Sequence, residues 1–169
     1  MPALLLIRHA HAGPRSTGPS DRDRPLDTRG LAQAAALPAL LLPLLDPAPG
    51  MTPPPTPGSP SGPVDVRSSP ARRCVETVEP LARALGTAVE VDGALVEGCD
   101  VRTLQARIAT LTRPTVWASH GDVIPELVDM LARRGLDLGP APSCRKASTW
   151  AIDVVDGEPR QARMLPPPA

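Results

Sequence analysis

The chain opens on an unbroken apolar run, residues 3–7, which ends abruptly in Arg8 and His9. A run without polar alternation predicts a strand buried on both faces of a parallel sheet. A polar loop containing Gly and Pro leads to Asp27. From Thr28, in the cap position, to about Leu45, leucines and alanines recur at helical spacing. Pro38 and Pro43 fall inside this segment and predict a kink or an early end. Pro, Gly, Ser and Thr then dominate to residue 63, the pattern of a mobile, polyproline-like insert at about 46–63 rather than of a separate domain. Residues 64–68 alternate as a short strand. Pro70 is suited to the first turn of a helix to Leu85, closed by Gly86. Residues 88–91 read as a third strand, 101–111 as a helix, 115–119 as a β-rich strand, and 123–134 as an amphipathic helix stopped by Gly135. Residues 148–155 form a further strand, and Asp156-Gly157 is a hairpin signal toward 161–165.

Strands alternating with helices predict α/β architecture, a three-layer α/β/α sandwich around a mostly parallel central sheet, in one domain over 1–169. In such sheets ligands gather beyond the carboxyl ends of the strands. Three predicted strands end in polar groups: Arg8-His9, Ser68-Ser69 before Arg73, and Ser119-His120-Gly121.

Composition narrows the function. Lys plus Arg and Asp plus Glu are both 18, so no net field draws the chain to nucleic acid or to a membrane surface. Without Phe or Tyr, and with two Trp, it has almost no stacking platforms for single-stranded nucleic acid. The opening apolar run is too short for a signal peptide core or a membrane span, which predicts a cytoplasmic protein. Cys74, Cys99 and Cys144 are odd in number and lack a CxxC pair, as reduced packing residues would be.

The segments LIRHAHAG, SSPARRCVET and ASHGDVI, in that order, resemble the histidine phosphatase superfamily, also called phosphoglycerate mutase-like. The resemblance covers nearly the whole chain. RPLDTRG and RKASTWAIDV look in addition like the histidine phosphatase domain that follows a Nudix domain in some actinobacterial hydrolases, although no Nudix box occurs here. The length and the opening motif are similar to the SixA-type phosphohistidine phosphatases. Ala10 stands where the common motif has Gly, as it does in the Nudix-fused proteins.

This resemblance implies the phosphoglycerate mutase-like fold, a metal-independent phosphatase without a cofactor, and His9 as the nucleophile. A neutral imidazole attacks phosphorus in line and forms a phosphohistidine that water then cleaves. Arg8 and Arg73 are implied as phosphate ligands, because guanidinium forks engage two oxygens at once. Arg73 rather than Arg72 matches the family spacing, three residues after Pro70 and four before Thr77. His120 matches the second family histidine, and Gly121 would let the backbone come close to the substrate. Glu97, in ALVEG, is the implied acid for a leaving alkoxide, provided its environment keeps it protonated.

Other residues carry weaker expectations. His11 more simply lines a pocket rim than holds a metal, since no ligand partner falls at suitable spacing. Arg15, Arg22 and Arg24 crowd the loop after His9, where Asp21, Asp23 and Asp27 could pair with them. Among these Arg24 is the expected accessory substrate contact. Arg145 and Lys146 either contact substrate or flank a sheet edge. The expected substrate is a phosphorylated small molecule, a nucleotide or a phosphoprotein, bound by a monomer or homodimer. The alternatives are a non-catalytic phosphate-binding or regulatory protein on the same fold, or a phosphomutase, for which few residues are available to build a cap.

Overall fold

The structure, a computed structural model, describes residues 4–15, 21–45, 64–140 and 143–169. The proline-rich segment at 46–63 lies outside the described residues. Six strands, β1 (Leu4–Arg8), β2 (Asp65–Ser68), β3 (Glu90–Val91), β4 (Thr115–Ser119), β5 (Thr149–Val155) and β6 (Glu158–Leu165), form one sheet in the order β3-β2-β4-β1-β5-β6. The first four run parallel, and β5 and β6 close one edge antiparallel. The helices are α1 (Thr28–Leu45), α2 (Arg72–Ala84), α3 (Val101–Ile108) and α4 (Val123–Arg133).

The pleat of β1 sorts its apolar run between two layers. Leu5 and Ile7 join Leu37 and Leu41 of α1 and Val78 and Leu81 of α2 in one buried cluster. Leu4 and Leu6 join Leu104 and Ile108 of α3 and Leu127 and Leu131 of α4 in the other. The predicted α/β/α sandwich with a mostly parallel sheet is therefore what the chain forms. The Asp156-Gly157 turn also forms, with both residues at positive φ, 53° and 76°.

Several local expectations are corrected. α1 does not stop at Pro38 but runs through both prolines to Leu45. Each proline costs roughly 3 kcal/mol in a helix interior. Leu37, Leu41 and Leu45, one turn apart, are fully buried and return roughly 2 kcal/mol each, so packing on the sheet offsets the breaks. Thr28 is not the cap. Asp27 is, its Oδ1 accepting from Gly30 N at 2.9 Å while Leu31 N bonds its carbonyl at 2.9 Å. Pro70 precedes α2 rather than lying in its first turn, because Ala71 is still extended, with ψ at 128°. The strand predicted at 88–91 pairs only over Glu90–Val91, and α3 ends at Ile108 instead of Leu111.

The N-terminus of α1 docks on the loop after β1. Gln33 Oε1 accepts from His11 N at 3.0 Å, and Asp27 N donates to the His11 carbonyl at 3.2 Å. A Cβ at Gly30 would stand 1.8 Å from that carbonyl oxygen, and backbone on both sides cannot yield. Gly30→Ala is therefore expected to destabilise the protein by about 3 kcal/mol, read as a lower urea midpoint at unchanged m-value. A midpoint equal to that of the parent would contradict the docking.

Candidate active site

β1 and β4 pair in a register that sets Arg8 opposite Ser119, so the next residues, His9 and His120, leave the sheet side by side. His9 N donates to the Ser119 carbonyl at 3.0 Å, and the two imidazole rings lie edge to face with centroids 5.6 Å apart. His9 Nδ1 lies 2.8 Å from the Ala10 carbonyl oxygen. A carbonyl can only accept, so Nδ1 carries the proton and Nε2 keeps its lone pair. Burial, helped by the charges of Arg73, His120 and Arg8 and opposed by the Ala10 bond, lowers the His9 pKa from 6.5 to about 3. The imidazole is thus neutral, with Nε2 unprotonated, through the physiological range.

The loop that carries His9 is held from two sides. Ala10 N donates to Thr77 Oγ1 at 2.9 Å, and Thr77 Oγ1 in turn donates to the Arg73 carbonyl at 2.6 Å. Ala10 needs no left-handed backbone: among the described residues, the non-glycine positions at positive φ are Ala147 and Asp156. An alanine is therefore unstrained there.

Arg73 enters from α2 and is 1% exposed. Its guanidinium donates to the Asp21 carbonyl at 2.7 Å and lies 3.2 Å from the Asp21 carboxylate, 3.3 Å from Glu97 Oε1 and 3.4 Å from His120 Nδ1. Burial works against the Asp21 charge, but Arg73 and Arg24 outweigh it and hold the carboxyl below its usual range. Arg72, one helical step away, points to solvent and pairs with Glu76 at 2.6 Å, as the register predicts. His120 Nε2 lies 2.8 Å from Ser69 Oγ. Because a hydroxyl donates or accepts, Ser69 supports either tautomer while Nδ1 faces the site. Burial holds the His120 pKa below 6.5, with Glu97 opposing and Arg73 adding to the effect. Beneath the ring, Cys74 Sγ is 3.6 Å from Nε2. Burial pushes that thiol up to about 12, so it packs there as a neutral group.

Arg8 lies across Gly121 and donates to the Cys144 carbonyl at 2.6 Å. A Cβ on Gly121 would meet the guanidinium carbon at 2.6 Å, so the glycine serves the close approach of Arg8. Glu97 is 44% exposed and reaches Arg15 at 3.4 Å, Arg73 at 3.3 Å and His120 Nδ1 at 3.6 Å. Burial therefore does not enclose this carboxyl. Arg24 is held by Asp21, at 2.9 Å, and by the Gly13 carbonyl, at 2.5 Å. His11 Nδ1 donates to the Asp27 carboxylate and so braces the helix cap. Arg8, His9, Arg24, Glu97, Gly121 and Lys146 all line one cavity of about 750 Å³, and Arg73 and His120 line a smaller one of about 230 Å³ that shares Glu97. Arg145 is exposed and Arg22 lies beside Arg73 in the smaller cavity.

The structure gathers Arg8, His9, Arg24, Glu97, Gly121 and Lys146 around one cavity and Arg73 and His120 around a second that shares Glu97. It leaves Arg145 exposed, and adds contacts of Ser69 with His120, Thr77 with Ala10 and Asp21 with Arg73 that sequence reasoning did not give. Ser69 and Thr77 lie inside the recognised SSPARRCVET segment, so their proximity was available; their bonding across the sheet end was not. The arrangement offers an unprotonated imidazole nitrogen ringed by two guanidinium groups and a second imidazole, a setting for attack on a phosphoryl group.

No protein-family model matches the chain. A curated relative, the 8-oxo-(d)GTP phosphatase of Mycolicibacterium smegmatis, is 33% identical over an alignment of 172 positions, covering 98% of this chain and 48% of that protein. The chain thus spans about half the length of that relative. Among solved structures, the protein histidine phosphatase SixA complexed with tungstate superposes with a TM-score of 0.67 at 19% identity, over 96% of this chain and 93% of that one. A mycobacterial glucosyl-3-phosphoglycerate phosphatase with inorganic phosphate gives 0.59 at 18% identity, over 100% and 98%. These structural likenesses establish a shared fold.

The depressed pKa of His9 has a consequence for stability. Between pH 6.5 and about 3 the unfolded chain protonates this histidine while the folded one does not, so the unfolded state binds more protons and stability falls as pH drops. The expected contribution is up to about 1.4 kcal/mol per pH unit. Urea midpoints from pH 7 to 4 should fall more steeply for the parent than for His9→Asn. Parallel profiles would show that His9 titrates alike in both states.

Proposed function

We propose that this chain is a member of the histidine phosphatase superfamily and a metal-independent phosphohydrolase that works through a phosphohistidine on His9. The observation that carries the reading is the Nδ1 bond of His9 to the Ala10 carbonyl, which leaves Nε2 free to attack. In the first step Nε2 forms a bond to phosphorus as the bond to the leaving oxygen breaks. Arg8, Arg73 and His120 balance the negative charge spread over the equatorial oxygens in the transition state. To reach Arg73 and His120 the phosphoryl oxygens take the place of the Glu97 carboxylate, which lies 3.3 Å and 3.6 Å from them. Glu97, displaced from these cations and having taken up a proton from solvent, is the carboxyl that protonates an ester leaving oxygen in this reading. In the second step water attacks the phosphohistidine and releases phosphate.

The substrate in this reading is a phosphorylated small molecule, a nucleotide or a phosphohistidine. Support comes from the cavity of about 750 Å³, larger than one phosphoryl group fills, and from relatives named for a nucleotide and for protein phosphohistidine. The free thiols of Cys74, Cys99 and Cys144 accord with a reducing, cytoplasmic compartment.

Phosphate release from aryl phosphate, nucleotides, sugar phosphates and a phosphohistidine protein, measured in EDTA, is expected to persist in the parent and to vanish in His9→Ala. Activity surviving in His9→Ala, or lost on chelation, would overturn the reading. Arg73→Lys keeps the charge but not the fork, and is expected to lower kcat about 100-fold. Glu97→Gln is expected to slow alkyl phosphates at least about 10-fold more than aryl phosphates, whose leaving group needs no proton. Equal slowing of both would remove Glu97 from the acid role.

A further inference from the structure

The large cavity holds more positive charge than a single phosphoryl group requires. Of its cations, Arg15 pairs with Glu97 and Arg24 with Asp21. Among the described residues, Arg8 and Lys146 make no ion pair, and the Lys146 ammonium makes no hydrogen bond. Lys146 is also fixed relative to the nucleophile. Its neighbour Ala147 donates one backbone N–H to the carbonyls of both Arg8 and His9, at 3.1 and 3.2 Å, and Arg8 N donates to the Ser148 carbonyl at 3.1 Å. Ala147 is held at a φ of 63°, where a residue with a Cβ is strained, and it is fully buried against Ala10, Leu26 and Ala34. The turn bearing Lys146 is thus built against the backbone of the catalytic pair at a conformational cost.

The surroundings of Lys146 call for an anion. Burial lowers its pKa, and the charges of Arg8, Arg24 and Arg29 add to that, with Asp27 opposing. Like charges gathered in a half-buried wall are unfavourable until a counter-charge binds. Besides Asp27, the carboxylates near this wall are Asp21, already bonded to Arg24, and Glu97 and Asp122 on the cavity lining.

We propose that Lys146, beside Arg24 and Arg8, forms a second anion subsite that holds a phosphate joined to the one transferred, so that the preferred substrates are phosphoanhydrides of the nucleoside di- and triphosphate class. The proposal rests on the His9 reading and names its substrate class. His9 Nε2 bonds to the terminal phosphorus, and the bond from that phosphorus to the bridging oxygen breaks. The bridging oxygen leaves with the electron pair on the shortened phosphate, where Lys146 and Arg24 stabilise it. Water then cleaves the phosphorus–nitrogen bond, giving orthophosphate and one proton. A phosphate leaving group needs no general acid, which suits a site whose carboxyl, Glu97, is paired with Arg73 and Arg15.

Two measurements test this. In the kinetic one, the parent is expected to turn over a nucleoside diphosphate with a kcat/KM at least about 10-fold above that of the same nucleoside monophosphate. Lys146→Met should cut the diphosphate value about 10- to 100-fold, mainly through KM. It should change the monophosphate value less than about 3-fold, and Lys146→Arg should restore most of the loss. No preference in the parent, or equal losses on both substrates, would overturn the subsite. The second is calorimetric binding of inorganic pyrophosphate and orthophosphate to His9→Ala, which reads the subsite even if no substrate is hydrolysed. Pyrophosphate should bind at least about 10-fold more tightly, and Lys146→Met in that background should abolish the difference. Equal affinities, or a difference indifferent to Lys146→Met, would overturn the subsite whatever the fate of the His9 reading.

Discussion

The parallel pairing of β1 with β4 is the constraint on which the site depends. With Arg8 opposite Ser119, the two histidines leave neighbouring strand ends at the same height. A slip of one residue would turn the apolar set of β1 toward the wrong layers. A slip of two would move His9 and His120 apart by roughly 6.6 Å. The register is fixed because β1 is apolar on both faces and each face has its own helical layer to fill. The same leucines that build the core therefore determine the distance between the imidazoles of His9 and His120.

Around that pair, buried charge is tolerated because it is shared. Arg73, almost without exposure, is balanced by Asp21 and Glu97. A phosphoryl group that takes the place of Glu97 substitutes one anion for another, so the cation is not left bare at any stage. Among the described residues, no carboxylate forms an ion pair with Arg8 or Lys146 on the other wall. The asymmetry divides the site into a wall whose charge is already balanced and a wall that gains balance when an anion binds.

Much of this was legible in the sequence because the decisive features are local. The apolar run before Arg8-His9, the SSP segment before Arg73 and the strand before His120 each declare a strand end with a polar residue beyond it. The choice of Arg73 over Arg72 came from the spacing of the family motif that the segment resembles. Less legible were features that depend on tertiary packing. The prolines of α1 read as a kink or an early end, since the burial of Leu37, Leu41 and Leu45 that carries the helix through them is a property of the assembled sheet. Asp27 displaced Thr28 as the cap by answering both Gly30 and His11, and no periodicity shows His11 arriving there. Lys146 could be read equally as a sheet-edge residue, because the left-handed turn at Ala147 that sets it beside Arg8 has no glycine to announce it.

The central claim, that His9 Nε2 receives the phosphoryl group, is tested most directly by trapping the intermediate. Rapid acid-free quenching of turnover with a labelled substrate, followed by peptide mapping, is expected to yield an alkali-stable, acid-labile phosphoryl group on His9 that forms before free phosphate and is absent from His9→Ala. A label on another residue, or full turnover with no covalent phosphoprotein at the shortest times and with inversion of configuration at a chiral phosphorus, the sign of direct attack by water, would contradict it.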